Sequence, residues 1–433
     1  MKIHKIGSGD KSITKIKLLP TSRFYLIILL LIITTITALA TGLGIFFRLG
    51  YLISLICLVS LFTTFINIRK IEVTIDRRNH VLSVGEVIDK RIRIRNLSLI
   101  PKTLLVTTDL TTIPKYTSSY ALGLTTKGYR SWRSMDKALQ RGVFQMGPAE
   151  ISTTDLLGLY RARSLHGTTK KIMIYPKISD LGNFQTGSSN LPSEGMVRKK
   201  SNILSPHASS VREYTYGDSL SRIHWKTTAR SGRLMSKEFD VGTSNEIMIL
   251  NDLDKSIQFG HFDESTTELS ITLVASLIKK YSDSNIPVGF LSHGMERYYQ
   301  APNIGYSHLD RSMQILASAQ AGNNKKLHHV LSDERNIWVS HSSMILITSS
   351  TEIEWVGALS ELLNLTADIT VILIDPFSFG GESDQASVIS TLGTVGISPY
   401  LIGKGDSFQS AFSQPFLNRV NGNLSEVKSV KSA

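Results

Sequence analysis

Two uncharged and strongly apolar runs lie side by side near the start of the chain. The first extends from Phe24 to Phe47 and the second from Leu49 to Ile68, with Arg48 between them. A helix rises about 1.5 Å per residue, so each run is long enough to cross the ~30 Å hydrocarbon core of a bilayer. Glycines surround the predicted turn at Gly42, Gly44 and Gly50. The sequence therefore predicts a transmembrane hairpin over residues 24–68 with almost no outer loop.

Basic residues flank both runs and indicate their orientation. Arg69 and Lys70 follow the second run, and six basic residues precede the first: Lys2, Lys5, Lys11, Lys15, Lys17 and Arg23. Because Lys and Arg are enriched on the cytoplasmic side of membrane spans, residues 1–23 are predicted to form a basic cytoplasmic tail. The soluble part is then expected to face the cytoplasm at the cell membrane. Arg48, at the predicted turn, can snorkel to the interface.

A signal peptide and a buried core helix are the alternatives to this hairpin. A secretory signal has a shorter apolar core and a cleavage site, and no second span follows it at once. The net charge of +13 is largely explained by topology, so nucleic acid is not an expected partner. The single cysteine, Cys57, lies inside the second run, which excludes a disulfide framework or a Cys-based zinc site within the chain.

Residues 71–180 have the pattern of short β-strands. Residues 71–75 and 90–95 alternate between apolar and polar side chains, with a turn signal at 84–87 between them. Apolar runs at 104–106 and 172–175 add further strands, and no long amphipathic helix is expected. This pattern predicts a β-sandwich-like domain. Residues 181–210, rich in Ser, Gly and Asn, are predicted to be a linker.

Residues 241–417 alternate between apolar strands and amphipathic helices. Strands are predicted at 247–250, 288–291, 344–347, 369–374 and 400–402. Ser265 and Glu268 have capping-box spacing before the first helix, and Thr351 and Glu354 repeat it. Continuous apolar strands that alternate with helices indicate a parallel sheet covered on both faces, an α/β domain. Residues 418–433 are polar and are predicted to be disordered.

A dense motif separates these two parts at residues 211–240. It mixes opposite charges, aromatic residues and glycines, and Arg212, Arg222, Lys226 and Arg230 could pair with Glu213, Asp218 and Glu238. Trp225 and Tyr214 are expected to supply apolar packing between these pairs. The motif resembles the signature of the bacterial and archaeal DUF58 family of domains of unknown function. The matching residues are Arg212, Tyr214, Gly217, Asp218, Arg222, Ile223, His224, Trp225, Lys226, Thr228, Ala229, Arg230, Gly232, Leu234, Lys237 and Glu238.

The resemblance extends beyond this motif and implies more about the chain. Residues 141–144, 147–148, Asp155 and 158–159 are similar to the upstream segment of the family. Members look like membrane-anchored proteins with a von Willebrand factor A-like domain, which implies a doubly wound sheet here. Their genes commonly lie beside those of MoxR-type AAA+ ATPases. The resemblance therefore implies an assembly partnership with such an ATPase.

His224 admits three interpretations. A neutral imidazole suits a general base, but no substrate or oriented partner is visible in the sequence. The motif could instead be an anion or ligand site. The interpretation favoured here is a structural clasp or a protein-contact surface, made by Arg212, Tyr214, Gly217, Asp218, Arg222, His224, Trp225, Lys226, Arg230, Lys237 and Glu238.

A metal site is the other candidate. A-type domains bind a divalent ion through a D-x-S-x-S run after the first strand, and this chain has Asp252, Asp254 and Ser256 at that spacing. Such oxygen ligands suit Mg²⁺ or Ca²⁺. A later Asp is expected after Ile347, where the chain instead has Thr348-Ser349-Ser350. The resemblance thus implies a degenerate site.

The sequence as a whole favours a non-catalytic, membrane-tethered interaction or assembly protein. No P-loop, nucleophile elbow or zinc-protease motif is present, and no catalytic residue is assigned. A divalent-metal-dependent binding protein is the first alternative. An enzyme that uses the 211–240 motif is the second.

Overall fold

The computed structural model describes residues 16–77, 81–116, 118–182, 184, 208–215, 223–239, 246–322, 325–339, 343–363, 368–382, 385–413 and 415, without the side chains of 208–210, 238 and 239. The chain divides into two compact units. The first, called the β unit here, comprises residues 1–177 with 313–318, and the second, the α/β unit, comprises 178–312 with 319–433. The predicted tails at 1–15 and 418–433 lie outside the described residues.

The two predicted apolar helices are present. Helix α1 (Ser22–Thr41) and helix α2 (Gly44–Ile68) contain 18-residue segments with mean hydropathies of 2.4 and 2.2, and both helices are long and apolar enough to cross a membrane. They pack against each other through a turn at Gly42, whose φ of 67° favours glycine. The turn is earlier than predicted, so Arg48 lies inside α2 and not at the turn.

Strands make up the rest of the β unit, as predicted. They are β1 (Lys17–Pro20), β2 (Ile71–Arg77), β3 (Val81–Ser83), β4 (Val87–Asn96), β5 (Lys102–Thr111), β6 (Ser119–Leu124), β7 (Tyr129–Lys137), β8 (Gly142–Thr154), β9 (Tyr160–His166) and β10 (Lys170–Tyr175). One sheet has the order β1-β9-β8-β10-β3, with β5 paired to β8 and to β6. A second, antiparallel sheet has the order β2-β4-β7.

The alternation of β4 shows why these residues form a two-layer structure. Ile88, Ile92 and Ile94 are buried, whereas the arginines between them are exposed. Ile92 and Ile94 share a core with Leu105 and Ile151 of the other sheet, so the two sheets face each other across apolar side chains. Burial of one face of each sheet fixes the strand register.

The start of the chain departs from the sequence prediction. Residues 1–23 are predicted to be a tail, but β1 within them pairs antiparallel with β9, with Lys17 opposite Arg163 and Pro20 opposite Tyr160. Two residues later α1 begins, and only Arg69 and Lys70 separate α2 from β2. The hairpin is therefore joined to the β unit by short connections at both of its ends.

The elements that follow residue 177 are β11 (Ala208–Glu213), α3 (Trp225–Ser231), β12 (Met235–Phe239), β13 (Ile247–Asp252), β14 (Gly260–His261), β15 (Glu264–Ser265), α4 (Thr266–Asp283), β16 (Val288–His293), β17 (Arg297–Asn303), α5 (Tyr306–Ser318), α6 (Leu327–Asp333), α7 (Arg335–Val339), β18 (Ser343–Thr348), α8 (Glu354–Leu363), β19 (Asp368–Ile374), α9 (Ala386–Thr394), β20 (Tyr400–Ile402) and α10 (Phe408–Ala411). All belong to the α/β unit except residues 313–318 of α5. Short 3-10 turns lie at Lys255–Ile257 and Phe377–Phe379.

The principal sheet of this unit has the order β17-β16-β13-β18-β19-β20. All neighbouring strands are parallel except β17, which is antiparallel to β16. Every residue of β13 and β16 is buried, as continuous apolar runs predict for covered parallel strands. Helix α4 packs on β13 and β16, and Ser265 caps it by accepting from the Glu268 N–H, as the capping-box spacing predicts.

The start of the predicted linker is packed, not loose. Leu181 and Phe184 are buried, and the Phe184 ring contacts the rings of Tyr400 and Phe412. The Lys280 ammonium donates to the carbonyls of Gly182 and Phe184, each at 2.8 Å. The last residues of the predicted linker, from Ala208, belong to a strand. Residues 185–207 lie outside the described residues.

Candidate functional site

The signature motif forms a small hairpin with one helical turn. Strands β11 and β12 pair antiparallel, with Val211 opposite Lys237, and α3 precedes β12. The Tyr214 N–H donates to the Leu234 carbonyl and the His224 N–H donates to the Met235 carbonyl, so main-chain bonds hold α3 against the hairpin. Ile223 is buried at this junction. Gly217, Asp218 and Arg222, three of the predicted site residues, lie outside the described residues, as does the Glu238 side chain.

His224 is the N-cap of α3. Its Nδ1 accepts from the Thr227 main-chain N–H at 3.2 Å and is 2.7 Å from the Thr227 hydroxyl. An N-cap side chain satisfies one of the main-chain donors that a helix start leaves unpaired. The imidazole of His224 therefore has a structural role as the cap of α3. The sequence does not predict this capping role, because histidine is not among the usual N-cap residues.

We expect the cap to matter locally. Replacing His224 with alanine should cost about 1 kcal/mol and so accelerate amide exchange in α3 about fivefold. Asn, which caps helices but cannot act as a base, should retain the protection. Hydrogen exchange followed at Thr227 and Thr228 measures both variants. Equal exchange in wild type and His224→Ala would contradict a capping role.

The charged and aromatic side chains of the motif do not pack as predicted. Trp225 is 67% exposed, Arg212, Lys226 and Arg230 are exposed, and Tyr214, His224 and Lys237 are half-buried. The Arg212 guanidinium donates to the Thr215 hydroxyl at 2.6 Å. Glu213 pairs with Arg233 at 2.8 Å, a partner that was not predicted. The prediction that Trp225 fills the space between ion pairs is therefore wrong.

The carboxyl edge of the parallel sheet brings together the predicted metal-site residues. Asp252 ends β13 and is buried, and its Oδ2 accepts from the Thr348 hydroxyl at 2.8 Å. Its Oδ1 accepts from the Asp254 N–H at 3.2 Å, and Asp254 Oδ1 accepts from the Ser256 N–H at 3.0 Å. Asp254 is also buried, whereas Ser256 is exposed.

Burial changes the chemistry of the first carboxyl. Desolvation raises the pKa of Asp252 to about 7, although the Thr348 hydroxyl and the Asp254 N–H stabilise its charged form. A carboxyl with such a pKa is partly protonated at neutral pH. It can therefore donate a hydrogen bond, or release a proton when a cation approaches.

Further polar residues at this edge were not predicted. His293 ends β16 opposite Asp252, and its Nε2 is 3.3 Å from Glu334 Oε1. Arg297 holds the same carboxylate through two bonds of 2.6 and 3.0 Å, and Arg297 lowers the pKa of Glu334. Glu334 comes 41 residues after His293, and no local signal in the sequence links them.

Comparison with known proteins supports the resemblance. Residues 210–377 match the family model "Protein of unknown function DUF58". The "Uncharacterized protein YeaD" of Bacillus subtilis (strain 168) is 26% identical over 182 residues. That match covers 41% of this chain and 43% of YeaD, so this chain spans less than half the length of its curated relative.

Similar solved structures cover a quarter of the chain. A CARDB domain from Pyrococcus furiosus has a TM-score of 0.19 and 12% identity, covering 24% of this chain and 94% of that one. A β-glucosidase from Listeria innocua has a TM-score of 0.17 and 10% identity, covering 24% of this chain and 16% of that one. At these scores the likenesses define neither fold nor function here.

Proposed function

Since residues 210–377 of the chain match the DUF58 family model, we propose that the protein is a non-catalytic, membrane-tethered interaction or assembly factor. Its partner in this proposal is a MoxR-type AAA+ ATPase. The hairpin of α1 and α2 is the tether, with the soluble units on the cytoplasmic side of the cell membrane. The exposure of Trp225 within the signature motif is the observation on which the proposal rests.

An exposed tryptophan is a typical contact residue. Tryptophan, tyrosine and arginine dominate the binding energy of protein interfaces, because they bury large areas and still make polar contacts. Trp225 is 67% exposed on α3, and Leu234 beside the same turn is 46% exposed. Burying an apolar surface of this size in an interface is favourable by about 25 cal/mol per Å². A role in the hydrophobic core would instead require a buried ring.

The charge of the motif indicates the chemistry of the partner surface. The segments 208–215 and 223–239 contain five basic residues, Arg212, Lys226, Arg230, Arg233 and Lys237, and two acidic ones, Glu213 and Glu238. Glu213 is paired with Arg233. Complementary charge steers association and favours correct partners. The surface therefore fits an acidic face of the ATPase.

Affinity capture from membranes tests the proposal. The tagged full chain is captured with the MoxR-type ATPase held by a non-hydrolysable nucleotide. We expect the Trp225→Ala variant to recover at least tenfold less ATPase, because the lost ring is a central contact. Tyr306→Ala, which removes an 81% exposed aromatic ring outside the motif, is the matched control and should recover wild-type amounts.

Two outcomes would contradict the proposal. Failure of the wild-type chain to recover the ATPase with nucleotide bound would remove the partnership. Equal recovery by wild type and Trp225→Ala would show that Trp225 of the motif is not part of the contact with the ATPase. Both variants change exposed side chains, so circular dichroism should show unchanged folds.

Divalent-metal-dependent binding is the second candidate. The sheet, with one antiparallel edge strand, has the arrangement we propose for a von Willebrand factor A-like domain, and it brings Asp252, Asp254 and Thr348 to its carboxyl edge. Two carboxylates and nearby hydroxyls are too few for Ca²⁺, but Mg²⁺ commonly keeps several waters. Among the described residues no group of three or more His, Cys, Asp or Glu could hold a metal ion. The fit is thus limited to a weak, water-rich Mg²⁺ site.

Calorimetric titration with Mg²⁺ tests this candidate. Because binding must remove the proton from Asp252, affinity should rise between about pH 6 and pH 8 and protons should be released. Asp254→Asn should weaken binding at least tenfold. Absence of both heat and thermal stabilisation at millimolar Mg²⁺ would end the metal hypothesis.

A further inference from the structure

Two apolar loops of the β unit lie beside the ends of the hairpin. The first, residues 97–100, lies between β4 and β5, and the second, residues 155–158, lies between β8 and β9. We propose that both loops insert into the interfacial region of the same bilayer leaflet and hold the β unit against the membrane. This inference rests on the proposed function in one respect, namely that the hairpin spans a lipid bilayer.

The loops present large aliphatic side chains to solvent. Leu156 is 98% exposed and Leu99 is 72% exposed, and Leu97, Ile100 and Leu157 are each about half exposed. Single exposed leucines are common on soluble proteins, but a cluster of five in two loop tips is not. An interfacial layer of lipid would remove these side chains from water.

The first loop is rigid, although its tip is apolar. The buried Asn96 side chain donates to the carbonyls of Ile100 and Thr125, at 2.9 and 3.1 Å, and its Oδ1 accepts from the Ser98 N–H and hydroxyl. The Thr126 hydroxyl donates to the Leu99 carbonyl at 3.0 Å. The polar groups of the loop are therefore satisfied inward, and Leu99 is held outward.

The second loop is built in a similar way. The buried Asp155 carboxylate accepts from the Leu157 N–H at 3.1 Å and from the Tyr160 N–H at 2.8 Å. Gly158 has a φ of 71° and its N–H donates to the Asp155 carbonyl, which closes the turn. Leu156 stands at the tip. Insertion of a preformed loop costs little conformational entropy, so the exposed leucine can contribute most of its transfer free energy.

Both loops are attached to the residues that flank the hairpin. The Leu97 N–H donates to the Lys70 carbonyl, two residues after α2 ends. The Arg23 guanidinium donates to the Leu157 carbonyl at 3.4 Å, and the Thr21 N–H donates to the Leu159 carbonyl at 2.9 Å, just before or within the first turn of α1. Because α1 and α2 form a hairpin, these two ends lie on the same side of a membrane that the hairpin crosses. The loops are thus at the depth where the chain enters the bilayer.

The positive charge beside the two loops is suited to an anionic lipid surface. Arg23, Arg69 and Lys70 are exposed beside the two loops. Basic residues near the surface of an anionic leaflet are attracted to it, and they commonly accompany apolar side chains that reach the acyl boundary. A protein partner would need to fit between the β unit and the membrane. Continuity with the two spans therefore favours lipid as the occupant.

Site-specific fluorescence in liposomes tests the proposal. In a Cys57→Ser background, single cysteines replace Leu99, Leu156, Leu30 or Lys137 of the full chain and carry an environment-sensitive dye. The liposomes contain phosphatidylcholine and phosphatidylglycerol with brominated acyl chains, which quench dyes that enter the bilayer. Leu30 lies in α1, and Lys137 pairs with Val87 at the end of β4 remote from Asn96. Nine residues of strand separate these ends of β4, about 30 Å.

The expected result is quenching at Leu99 and Leu156 of at least half that at Leu30, with little at Lys137. If Leu30 is quenched but Leu99 and Leu156 behave like Lys137, the insertion is overturned while the tether remains. If Leu30 is not quenched either, the tether itself fails. Shielding of the loop dyes from aqueous iodide without lipid quenching would mean that a second copy covers the loops, and would also overturn the proposal.

Discussion

Replacing Asp109 with alanine is expected to lower the free energy of unfolding of the β unit by about 3–5 kcal/mol. The Asp109 and Lys90 side chains are both 0% exposed and are joined at 3.0 Å. Asp109 also accepts from Arg77 at 3.0 Å, and Lys90 donates to the Ser118 hydroxyl at 2.8 Å. Without the carboxylate, two cations lose their counter-charge, one of them fully buried. An uncompensated buried charge is among the costliest single defects in a protein.

Hydrogen exchange of the β4, β5 and β8 amides measures this loss within the β unit alone. The Lys90→Met and Asp109→Leu double variant should recover more than half of the stability, because it removes the buried charge together with its partner. Asp89→Ala is the matched control. It breaks the pair with Arg133, whose side chain is 52% exposed, and should cost far less than Asp109→Ala because water screens an exposed pair. Equal losses for Asp89→Ala and Asp109→Ala would refute the argument.

The second large effect is expected at Asp252. Burial raises its pKa to about 7, against about 4 in an unfolded chain. Below about pH 4 the carboxyl is protonated in both states and costs nothing. As pH rises to 7 the unfolded chain loses this proton and the folded chain keeps it, so stability falls, and above 7 the full cost is present. Asp252→Asn should therefore be more stable than wild type by about 4 kcal/mol near pH 8, and nearly equal to it near pH 4.

Urea unfolding followed by the fluorescence of Trp338 and Trp355, both buried in the α/β unit, measures this difference. Asn can accept from the Asp254 N–H and donate to the Thr348 hydroxyl, so the hydrogen bonds survive. Asp333→Asn is a control of opposite sign, because Lys325 lowers the pKa of that exposed carboxyl. It should be slightly less stable than wild type near pH 8. A wild type more stable than Asp252→Asn at pH 8 would show that the carboxylate is stabilised in its charged form.

Much of this fold could be predicted from local patterns. The apolar runs of α1 and α2, the alternation in β4 and the continuous apolar runs of β13, β18 and β19 each depend on a period that neighbouring residues determine. Ser265 and Glu268 begin α4 as predicted for the same reason. The strand at Tyr400–Ile402 coincides with its predicted bounds.

Other features depend on contacts that no local pattern contains. Strand β17 has little alternation of apolar and polar residues. It forms by antiparallel pairing with the edge of β16. Thr348 meets Asp252 across 96 residues, and Asp109 meets Lys90 across two sheets. The sequence admits His224 as a base because of its chemistry alone. Its role as a cap follows from the position of Thr227, which only the backbone geometry reveals.

The pairing of β1 with β9 has a mechanical consequence. A domain that is joined to its anchor by a single flexible linker can rotate freely. Here the chain enters α1 from the paired strand β1, and it leaves α2 into β2 after only two residues. Because the β unit is joined to the hairpin by two short connections, it cannot rotate freely about either of them. Any twist or tilt of the hairpin must then be transmitted to the sheets, and the β unit cannot turn independently of the hairpin. With the hairpin in a bilayer, as proposed, the β unit would meet other membrane-bound molecules in two dimensions.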